Sequence, residues 1–404
     1  MPFRVAISGL RAASEDLNVI GNNVANANTT GFKQSRAEFA DLFAVTDQRI
    51  VSRNARGNGV QLSRVASQFS QGNISFTDNG LDLALNGQGF FILNDNGGRV
   101  YSRAGAFGLD RTGFVVNAQG QQLIAFQSDS SGNITGATGP LQITASDRAP
   151  QATSRIDARI NLDASQSAPT AGFDPADPTS YNDSTSTTIF DSLGNSHLAT
   201  TYYRKLGPND WETYLYVDGV QVDGPDSLQF STSGALITPA GPGTITTPSF
   251  TPSGGGAAMT LTLDYSNTSQ FGSPFAVHSL NQDGFTTGRL IGIDIDDQGV
   301  IFTRFTNGQS RIEGQLALAN FPNPQGLQPL GDTAWAETFS SGDVTVGAPG
   351  ASNLGLVQSG ALEESNVDLA EQLVKMIVAQ RNFQANAEVI STADAVTQSI
   401  INIR

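Results

Sequence analysis

The chain has 404 residues and a formal net charge of −15, from 22 Lys and Arg against 37 Asp and Glu. This negative charge argues against a nucleic-acid-binding protein, which needs a basic surface for phosphates. The chain has no Cys and only two His, so disulfides, thiolate sites and multi-His metal centres are excluded. No apolar run reaches the roughly 18 residues of a membrane span, so we expect no membrane insertion.

The N-terminal segment has apolar residues at helical spacing. The intervals between them are three, four or seven residues, which places them on one face of a helix. The predicted stripe consists of Phe3, Ile7, Leu10, Leu17, Ile20 and Val24. The same segment lacks the apolar core and the small-residue cleavage site of a secretory signal, so we predict no cleaved signal of that kind.

The middle of the chain shows a strand pattern. Short alternating runs occupy residues 70–145 and 285–360 and are separated by Gly-containing turns, which predicts β-hairpins. Residues 146–284 continue as strands but add stretches rich in Pro, Gly and Ser. They hold 14 acidic and 5 basic residues, which gives this segment −9 of the total charge. The pattern predicts a β body with a second β module inserted into it.

The C-terminal segment repeats the helical rhythm over roughly 35 residues, a length typical of a coiled-coil or bundle helix. We predict that this helix begins near Ser365 or Asn366, with Asp368 and Glu371 in the first turn, where the helix dipole favours anions. Its predicted stripe consists of Leu369, Leu373, Met376, Phe383, Ala387, Ile390 and Ile401.

Residues that carry chemistry are few. The run IDIDDQG at 293–299 distantly resembles a calcium loop but lacks the later bidentate Glu, so a hairpin turn is favoured. Gly87 and Gly89 form a lone GxG pattern without a third glycine, which argues against nucleotide binding. His197 and His278 are expected to be core or surface residues. We therefore predict no catalytic, cofactor-binding or metal-binding residue, and no enzymatic activity.

The apolar residues of the two terminal stripes must be buried against another surface. Such stripes often pack on their own domain or on each other, and a pair would form a two-helix hairpin, which is marginally stable alone. Copies of the chain would cover the residues that such a hairpin leaves exposed. A heterologous contact between identical subunits produces a ring or an open helical tube. We therefore predict that the stripe residues form an assembly interface.

Several segments of the chain resemble the bacterial flagellar rod and hook family, in that family's order. The similar segments are GLRAA at 9–13, NVIGNNVAN at 18–26, TGFK at 30–33, LALNGQGFFIL at 83–93, QLALANFPNPQGLQPLGDTAWAETFSSG at 315–342 and SNVDLAEQLVKMIVAQRNFQANAEVISTADAVTQSIINI at 365–403. Together they cover about half of the chain. The long insertion at 146–284 favours the hook branch of the family over the shorter distal rod subunit.

The resemblance implies a mainly β body with α-helical termini, in which the N- and C-terminal helices pair as a coiled coil. It also implies discontinuous β domains, with an outer β domain inserted into an inner β domain. The implied domains are 1–30 with 365–404 as the terminal coiled coil, 31–70 with 355–364 as a linking region, 71–145 with 285–354 as the inner β domain, and 146–284 as the inserted outer β domain.

In function, the resemblance implies a structural subunit that self-assembles into a curved tube, the flagellar hook, which transmits torque as a universal joint. The implied partners are other copies of the chain, the distal rod, the hook cap, the hook–filament junction proteins and the flagellar export apparatus, with no nucleic acid and no cofactor. The implied location is the flagellum outside the cell, after type III export without a cleaved Sec signal.

Three alternatives remain open at this point. A distal rod subunit would form a straight and stiff assembly. A secreted carbohydrate-active β protein would use the 146–284 module, which contains Trp211 and several Tyr. An adhesin or filament-associated binding module would use the same exposed domain for contacts with the surroundings.

Overall fold

The structure is a computed structural model that describes residues 2–43, 57–129, 131–144 and 146–402. No helix in this part of the chain is both long and apolar enough to cross a bilayer. The chain divides into two compact units, and each is described by itself. Unit 1 contains Met1–Ala145, Gly292–Arg304 and Ser310–Arg404, and unit 2 contains Ser146–Ile291 and Phe305–Gln309.

The helices are α1 at Pro2–Ala25 and α2 at Leu369–Asn402, with short 3₁₀ turns at Pro324–Gly326 and Phe339–Ser341. The strands before residue 146 are β1 Ser35–Phe43, β2 Gly57–Ser67, β3 Ile74–Phe76, β4 Leu83–Asn86, β5 Phe90–Asp95, β6 Gly98–Ser102, β7 Gly108–Leu109, β8 Val115–Val116, β9 Gln122–Ser128 and β10 Ile134–Pro140. The strands between 155 and 282 are β11 Arg155–Asp163, β12 Asp183–Phe190, β13 Ser196–Gly207, β14 Asp210–Val217, β15 Val220–Phe230, β16 Leu236–Thr238, β17 Thr244–Thr246, β18 Thr262–Asp264, β19 Ser269–Phe271 and β20 Ala276–Gln282. The strands from 290 onward are β21 Leu290–Ile295, β22 Val300–Phe305, β23 Ser310–Leu316, β24 Leu318–Asn320, β25 Gln328–Gly331, β26 Ala334–Ala336, β27 Thr345–Gly347, β28 Leu356–Ser359 and β29 Ala361–Glu363.

Unit 1 is built on a 13-stranded sheet whose central order is β21-β22-β23-β9-β5-β6-β26-β25. Gly-containing turns connect the strands of its hairpins, as predicted. Between β5 and β6, Asn96 and Gly97 both have positive φ, of 49° and 96°, as a type I′ hairpin turn requires. Two clusters of buried apolar residues belong to this body, one containing Phe91 and the other containing Trp335.

Three smaller strand pairings connect the helices to the body of unit 1. β1 pairs with β2, and this hairpin packs on α1. β3 pairs with β29, and β4 pairs with β28. The segment that follows the β1–β2 hairpin therefore runs beside the segment that precedes α2, and the chain enters and leaves the β body side by side.

Unit 2 consists of two five-stranded sheets. One is the meander β12-β13-β14-β15-β16, and the other contains β17, β18, β11, β19 and β20. Buried and exposed residues alternate along β13, as expected for a strand with one face in a core. A cluster of buried apolar residues takes members from both sheets and surrounds the fully buried Trp211.

The start of α2 differs from the prediction. Asp368 caps the helix, because its Oδ1 accepts hydrogen bonds from two backbone N–H groups of the first turn, at 2.8 and 3.2 Å. The helix was predicted to begin near Ser365 or Asn366, and neither of these residues is its N-cap. The side chain of Asn366 is engaged elsewhere, since its Oδ1 accepts the backbone N–H of Gln34 at 2.7 Å. The helix begins at Leu369.

Candidate assembly interface

The two terminal helices pack against each other within unit 1. Asn23 Nδ2 donates a hydrogen bond to Gln372 Oε1 at 3.3 Å, and a Cβ atom at Gly9 would lie 2.4 Å from Asn386 Oδ1. Asn23 lies 14 positions after Gly9 in α1, whereas Gln372 lies 14 positions before Asn386 in α2. The helices are therefore antiparallel, and the absence of a side chain at Gly9 makes room for Asn386.

The face of α2 that meets α1 follows alternating intervals of four and three residues, the spacing of a coiled-coil seam. Its buried and half-buried residues are Gln372, Met376, Ala379, Phe383, Asn386, Ile390 and Ala393. In α1 the buried residues are Ala6, Ala13, Ile20 and Asn23. We call these two sets the inner seam. Many of its members are small or polar, so the two helices share little large apolar surface.

Polar side chains at one end of the inner seam are well paired. Asn23 is 1% exposed and exchanges two hydrogen bonds of 2.8 Å with the backbone of Ser35. Gln372 Nε2 donates to Gln34 Oε1 at 3.1 Å. A buried amide would lose such bonds if one helix slid along the other, so Asn23 and Gln372 specify the register of the helix pair.

Large apolar side chains lie on the outer faces of the helix pair. In α2 and α1 the exposed ones are Leu369, Leu373, Val374, Ile377, Val378, Val389, Val396, Phe3, Val5 and Ile7. Between 36% and 61% of each side chain is exposed. A helix of a globular protein normally turns such residues toward a core, so the pair has an unusual amount of apolar surface open to other molecules.

The predicted stripes coincide with the inner seam only in part. Four stripe residues belong to the seam, namely Ile20, Met376, Phe383 and Ile390. Four others are half-buried beside it, namely Leu10, Leu17, Val24 and Ala387. Four are exposed, namely Phe3, Ile7, Leu369 and Leu373. The side chain of Ile401 lies outside the described residues. Sequence spacing missed Gln372, Ala379 and Asn386, because it selects large apolar residues.

A buried ionic cluster lies where both helices join the β body. Glu363 Oε1 contacts Lys33 Nζ at 2.5 Å, and Glu363 Oε2 contacts Arg103 Nη1 at 3.2 Å. The side chains of Lys33 and Glu363 are fully buried, and that of Arg103 is 4% exposed. Gly72 N–H donates to Glu363 Oε1 at 2.9 Å, and Lys33 Nζ donates to the Ser70 carbonyl at 2.8 Å.

The ionic cluster connects three separate parts of unit 1. Lys33 follows α1, Glu363 precedes α2, and Arg103 follows β6 in the β body. The cluster holds two positive charges and one negative charge, and burial lowers the pKa of Lys33 in spite of the neighbouring carboxylate. Removing the carboxylate would leave two buried cations without a counter-charge, which is costly. The cluster therefore holds both connections to the helix pair against the β body.

A groove lies between α1 and the β1–β2 hairpin, and we call it the α1–β2 groove. The hairpin approaches α1 closely, because Val60 N–H donates to Ser8 Oγ at 3.2 Å. A Cβ atom at Gly59, where φ is 114°, would lie 2.1 Å from the same oxygen. The groove has a volume of about 490 Å³, and its lining includes Arg4, Ile7, Arg11, Leu42 and Leu62. It thus combines apolar walls with two guanidinium groups and the carboxylate of Glu15.

The other sequence candidates do not form a site. Gly299 N–H donates to the Asp296 carbonyl at 3.0 Å in the turn between β21 and β22, which confirms the predicted hairpin turn. His197 is buried in unit 2 with Nδ1 2.6 Å from Asp218 Oδ2, and His278 is exposed. Within the described ranges, no group of three or more His, Cys, Asp or Glu is arranged to hold a metal ion.

Family models match four segments of the chain. They are described as Flagella basal body rod protein for residues 3–33, Flagellar hook protein FlgE/F/G D1 domain for 84–159, Flagellar basal body protein FlaE D2 domain for 161–285, and Flagellar basal body rod FlgEFG protein C-terminal for 358–403. The matches include both terminal segments and most of residues 146–284.

Proteins that align with this chain over its full length show which family it belongs to. The flagellar hook protein FlgE of Escherichia coli (strain K12) is 37% identical to this chain over 417 residues and covers 100% of both chains. The chain belongs to the flagellar hook protein family. The hook protein FlgE of Salmonella typhimurium is 36% identical over 415 residues with the same coverage, and that of Rhizobium meliloti is 32% identical over 413 residues, with 100% of this chain and 98% of its own covered.

Family membership confirms the predicted role as a structural subunit of the flagellar hook and favours it over the distal rod alternative. The relatives are structural hook proteins, which confirms that the chain is not an enzyme. The crystal structure of the Helicobacter pylori flagellar hook protein FlgE2 covers 72% of this chain and 100% of its own, with a TM-score of 0.56 and 14% identity. It supports the fold alone, and the prediction of a mainly β body with α-helical termini is confirmed.

Proposed function

We propose that the chain polymerises into the tube of the flagellar hook through contacts made by its terminal helix pair. The distribution of apolar residues in that pair is the observation that carries the proposal. Small and polar residues such as Ala379 and Asn386 make up much of the inner seam, whereas ten large apolar side chains are exposed among the described residues of the two helices. Complete burial of one such side chain is worth about 1.5–3 kcal/mol, so each half-exposed one retains about 1 kcal/mol for contacts between copies.

The proposed interface includes both predicted stripes, with Phe3, Ile7, Leu369 and Leu373 as exposed contact residues. A tube requires heterologous contacts, in which two different surfaces of the same chain meet. The helix pair supplies two such surfaces, because α1 and α2 differ in sequence and in charge. The inner seam supports the further proposal that the pair is a coiled coil.

The domain arrangement implied by the resemblance is proposed for this chain as well. It assigns 1–30 with 365–404 to the coiled coil, 31–70 with 355–364 to the linking region, 71–145 with 285–354 to the inner β domain, and 146–284 to the outer β domain inserted into it. The division into two compact units and the match of the D2 family model to residues 161–285 support this assignment. Residues 44–56 of the linking region lie outside the described residues.

The proposed partners follow from the place of a hook between rod and filament. They are other copies of the chain, the distal rod, the hook cap, the hook–filament junction proteins and the flagellar export apparatus. The tube is proposed to lie outside the cell after export without a cleaved Sec signal. A chain without Cys suits this route, because no disulfide can form while it passes unfolded through a narrow channel.

Electron microscopy of purified protein at high concentration tests the proposal. Leu373→Asp would place an unpaired charge between copies, where it loses its solvation, and is expected to abolish tubes while the β body stays folded. Asn96→Asp adds the same charge at an exposed polar position in the turn between β5 and β6, outside the helix pair, and is expected to leave tube formation intact. Tubes from Leu373→Asp, or none from the unsubstituted chain, would refute the proposal.

A further inference from the structure

A second face of α2, separate from the inner seam, carries a row of exposed valines, which we call the valine stripe. Val374, Val378, Val389 and Val396 are separated by 4, 11 and 7 positions. At 100° per residue they lie within about 60° of arc around the helix axis. Their exposed fractions are 61%, 51%, 45% and 59%. A narrow apolar row of this kind is suited to packing in a groove or against another helix.

The two ends of the chain differ in charge. Glu371 lies on the same face of α2 as Val374, one turn before it, and forms an exposed ion pair of 2.7 Å with Lys375 of the same helix. Residues 364–375, around the start of α2, contain three acidic residues and one Lys, a net charge of −2. Residues 2–14 of α1 contain two Arg and no acidic residue, a net charge of +2. These two surfaces therefore attract each other when they belong to different copies.

The α1–β2 groove carries the positive charge of α1. Arg4 and Arg11 stand seven positions apart on one face of α1 with Ile7 between them, and Leu42 and Leu62 of the hairpin contribute to the opposite wall. Ile7 is 40% exposed and Leu42 is 38% exposed. Glu15 also lines the groove, so its charged side chains carry a net charge of +1. The groove thus offers apolar surface with a net positive charge, which complements an apolar stripe that begins beside a carboxylate.

We infer that the first part of the valine stripe of one copy, Val374 and Val378, docks in the α1–β2 groove of the next copy, with Glu371 facing Arg4 and Arg11. This contact rests on the proposed self-assembly and names two surfaces that carry it. It joins different surfaces of identical chains, so it is heterologous and open-ended, as a growing tube requires.

The contact does not form within a single chain. Gln372 of α2 lies beside Asn23 of α1, and the helices are antiparallel. Val374 is therefore beside position 21 of α1, which is 14 positions from Ile7, or about 21 Å along the helix axis. A disulfide needs Cα atoms within about 7 Å of each other, so cysteines at these two positions can bridge only different copies.

Cysteine cross-linking tests the contact directly, because the chain has no Cys of its own. The full chain carrying Ile7→Cys and Val374→Cys is polymerised, oxidised and run on a non-reducing denaturing gel. The expected result is a ladder of dimers, trimers and longer products. The matched control carries Ile7→Cys with Gln380→Cys, an exposed position about 150° around α2 from the valine stripe, and is expected to run as a monomer.

Tubes of the first variant that give no ladder would overturn the inference and leave the proposed function intact. An unsubstituted chain that forms no polymer would overturn both. A second pair, Arg11→Cys with Glu371→Cys, probes the same contact at its charged edge, and a ladder from it supports the inference even if the first pair blocks assembly. If both pairs prevent polymerisation while the control pair still forms tubes, the result also supports the contact.

Discussion

The buried ionic cluster predicts that two substitutions of the same ion pair have very different effects. Glu363→Gln keeps the shape of the side chain but removes the negative charge of the cluster, and it leaves Lys33 and Arg103 as two uncompensated buried cations. Lys33→Met keeps the apolar stem and removes one cation, so the charges of Glu363 and Arg103 then balance. We therefore expect Glu363→Gln to destabilise unit 1 far more than Lys33→Met does.

The contacts in the cluster determine how much free energy of unfolding each substitution costs. Loss of one partner from a buried ion pair costs about 3–5 kcal/mol, and Glu363 has two cationic partners, at 2.5 and 3.2 Å, so the upper part of that range applies. Lys33→Met loses the hydrogen bond to the Ser70 carbonyl, worth about 1 kcal/mol, but it also ends the desolvation of a buried ammonium. The two variants should differ by at least about 2 kcal/mol in the free energy of unfolding.

The two Trp residues allow unit 1 to be measured separately from unit 2. Trp335 is 4% exposed in unit 1, and Trp211 is buried in unit 2. In a Trp211→Phe background, the fluorescence of Trp335 during urea unfolding of the full chain reports the free energy of unfolding of unit 1. The measurement is made on dilute protein, so that assembly does not add to stability.

An exposed ion pair in the same unit provides the control. Arg64→Met removes a pair with Glu38 in which the Arg side chain is 55% exposed, and it should cost less than about 1 kcal/mol. Equal destabilisation by Glu363→Gln and Lys33→Met, or a larger loss from Lys33→Met, would show that the net charge of the cluster does not control the stability of unit 1.

Three further outcomes are expected. Burial and a neighbouring carboxylate raise the pKa of Asp226 to about 6. Unit 2 should therefore lose stability as the pH rises from about 4 to 6. Asp226→Asn should remove this pH dependence and, after allowance for partial exposure, raise the free energy of unfolding by about 1 kcal/mol at pH 7. Thermal melts followed by tryptophan fluorescence measure both effects. A Cβ atom at Gly105 would lie 1.8 Å from a backbone carbonyl oxygen, whereas one at Gly108 would have nothing within 4 Å. Gly105→Ala should cost about 1–3 kcal/mol in urea unfolding and Gly108→Ala less than about 0.5 kcal/mol, and similar losses would contradict the close approach. The ring of Phe173, in the segment between β11 and β12, stacks on that of Tyr214 with 3.8 Å between the ring centroids and so anchors this segment. Phe173→Ala should therefore make the segment more susceptible to limited proteolysis. An unchanged cleavage rate would argue against this anchoring.

The helical ends and the hairpins of the body could be predicted because their signals are local. A period of three to four residues marks α1 and α2, and dipeptides such as Asn96-Gly97 mark tight turns. The helical period and the turn dipeptides both reflect backbone conformations that residues close in sequence favour. Long-range packing did not change these local conformations in α1, α2 or the hairpin turns. The acidic composition of residues 146–284 can be counted in the same way, directly from the sequence.

The inner seam could not be predicted in this way. α2 has large apolar residues on more than one face, so spacing selected the exposed Leu373 and passed over Gln372 and Asn386. The places of these two side chains depend on α1, which lies more than 300 positions earlier in the chain. The same reason explains the start of α2, because Asn366 bonds to the segment that follows α1 instead of capping its own helix. No local pattern reveals such long-range partners.

The two ends of the unit 2 segment lie side by side. Arg148 bridges to Gly288 and Gln151 bridges to Phe285, both as antiparallel pairs. Neighbouring antiparallel strands are about 5 Å apart, so the two ends of this segment stay close together whatever the length of chain between them. A segment whose ends pair in this way can be lengthened, shortened or exchanged for a different domain without moving those two ends. The stretch between residues 151 and 285 is therefore a place where evolution, or an engineer, can change one compact unit while keeping its points of attachment to the chain.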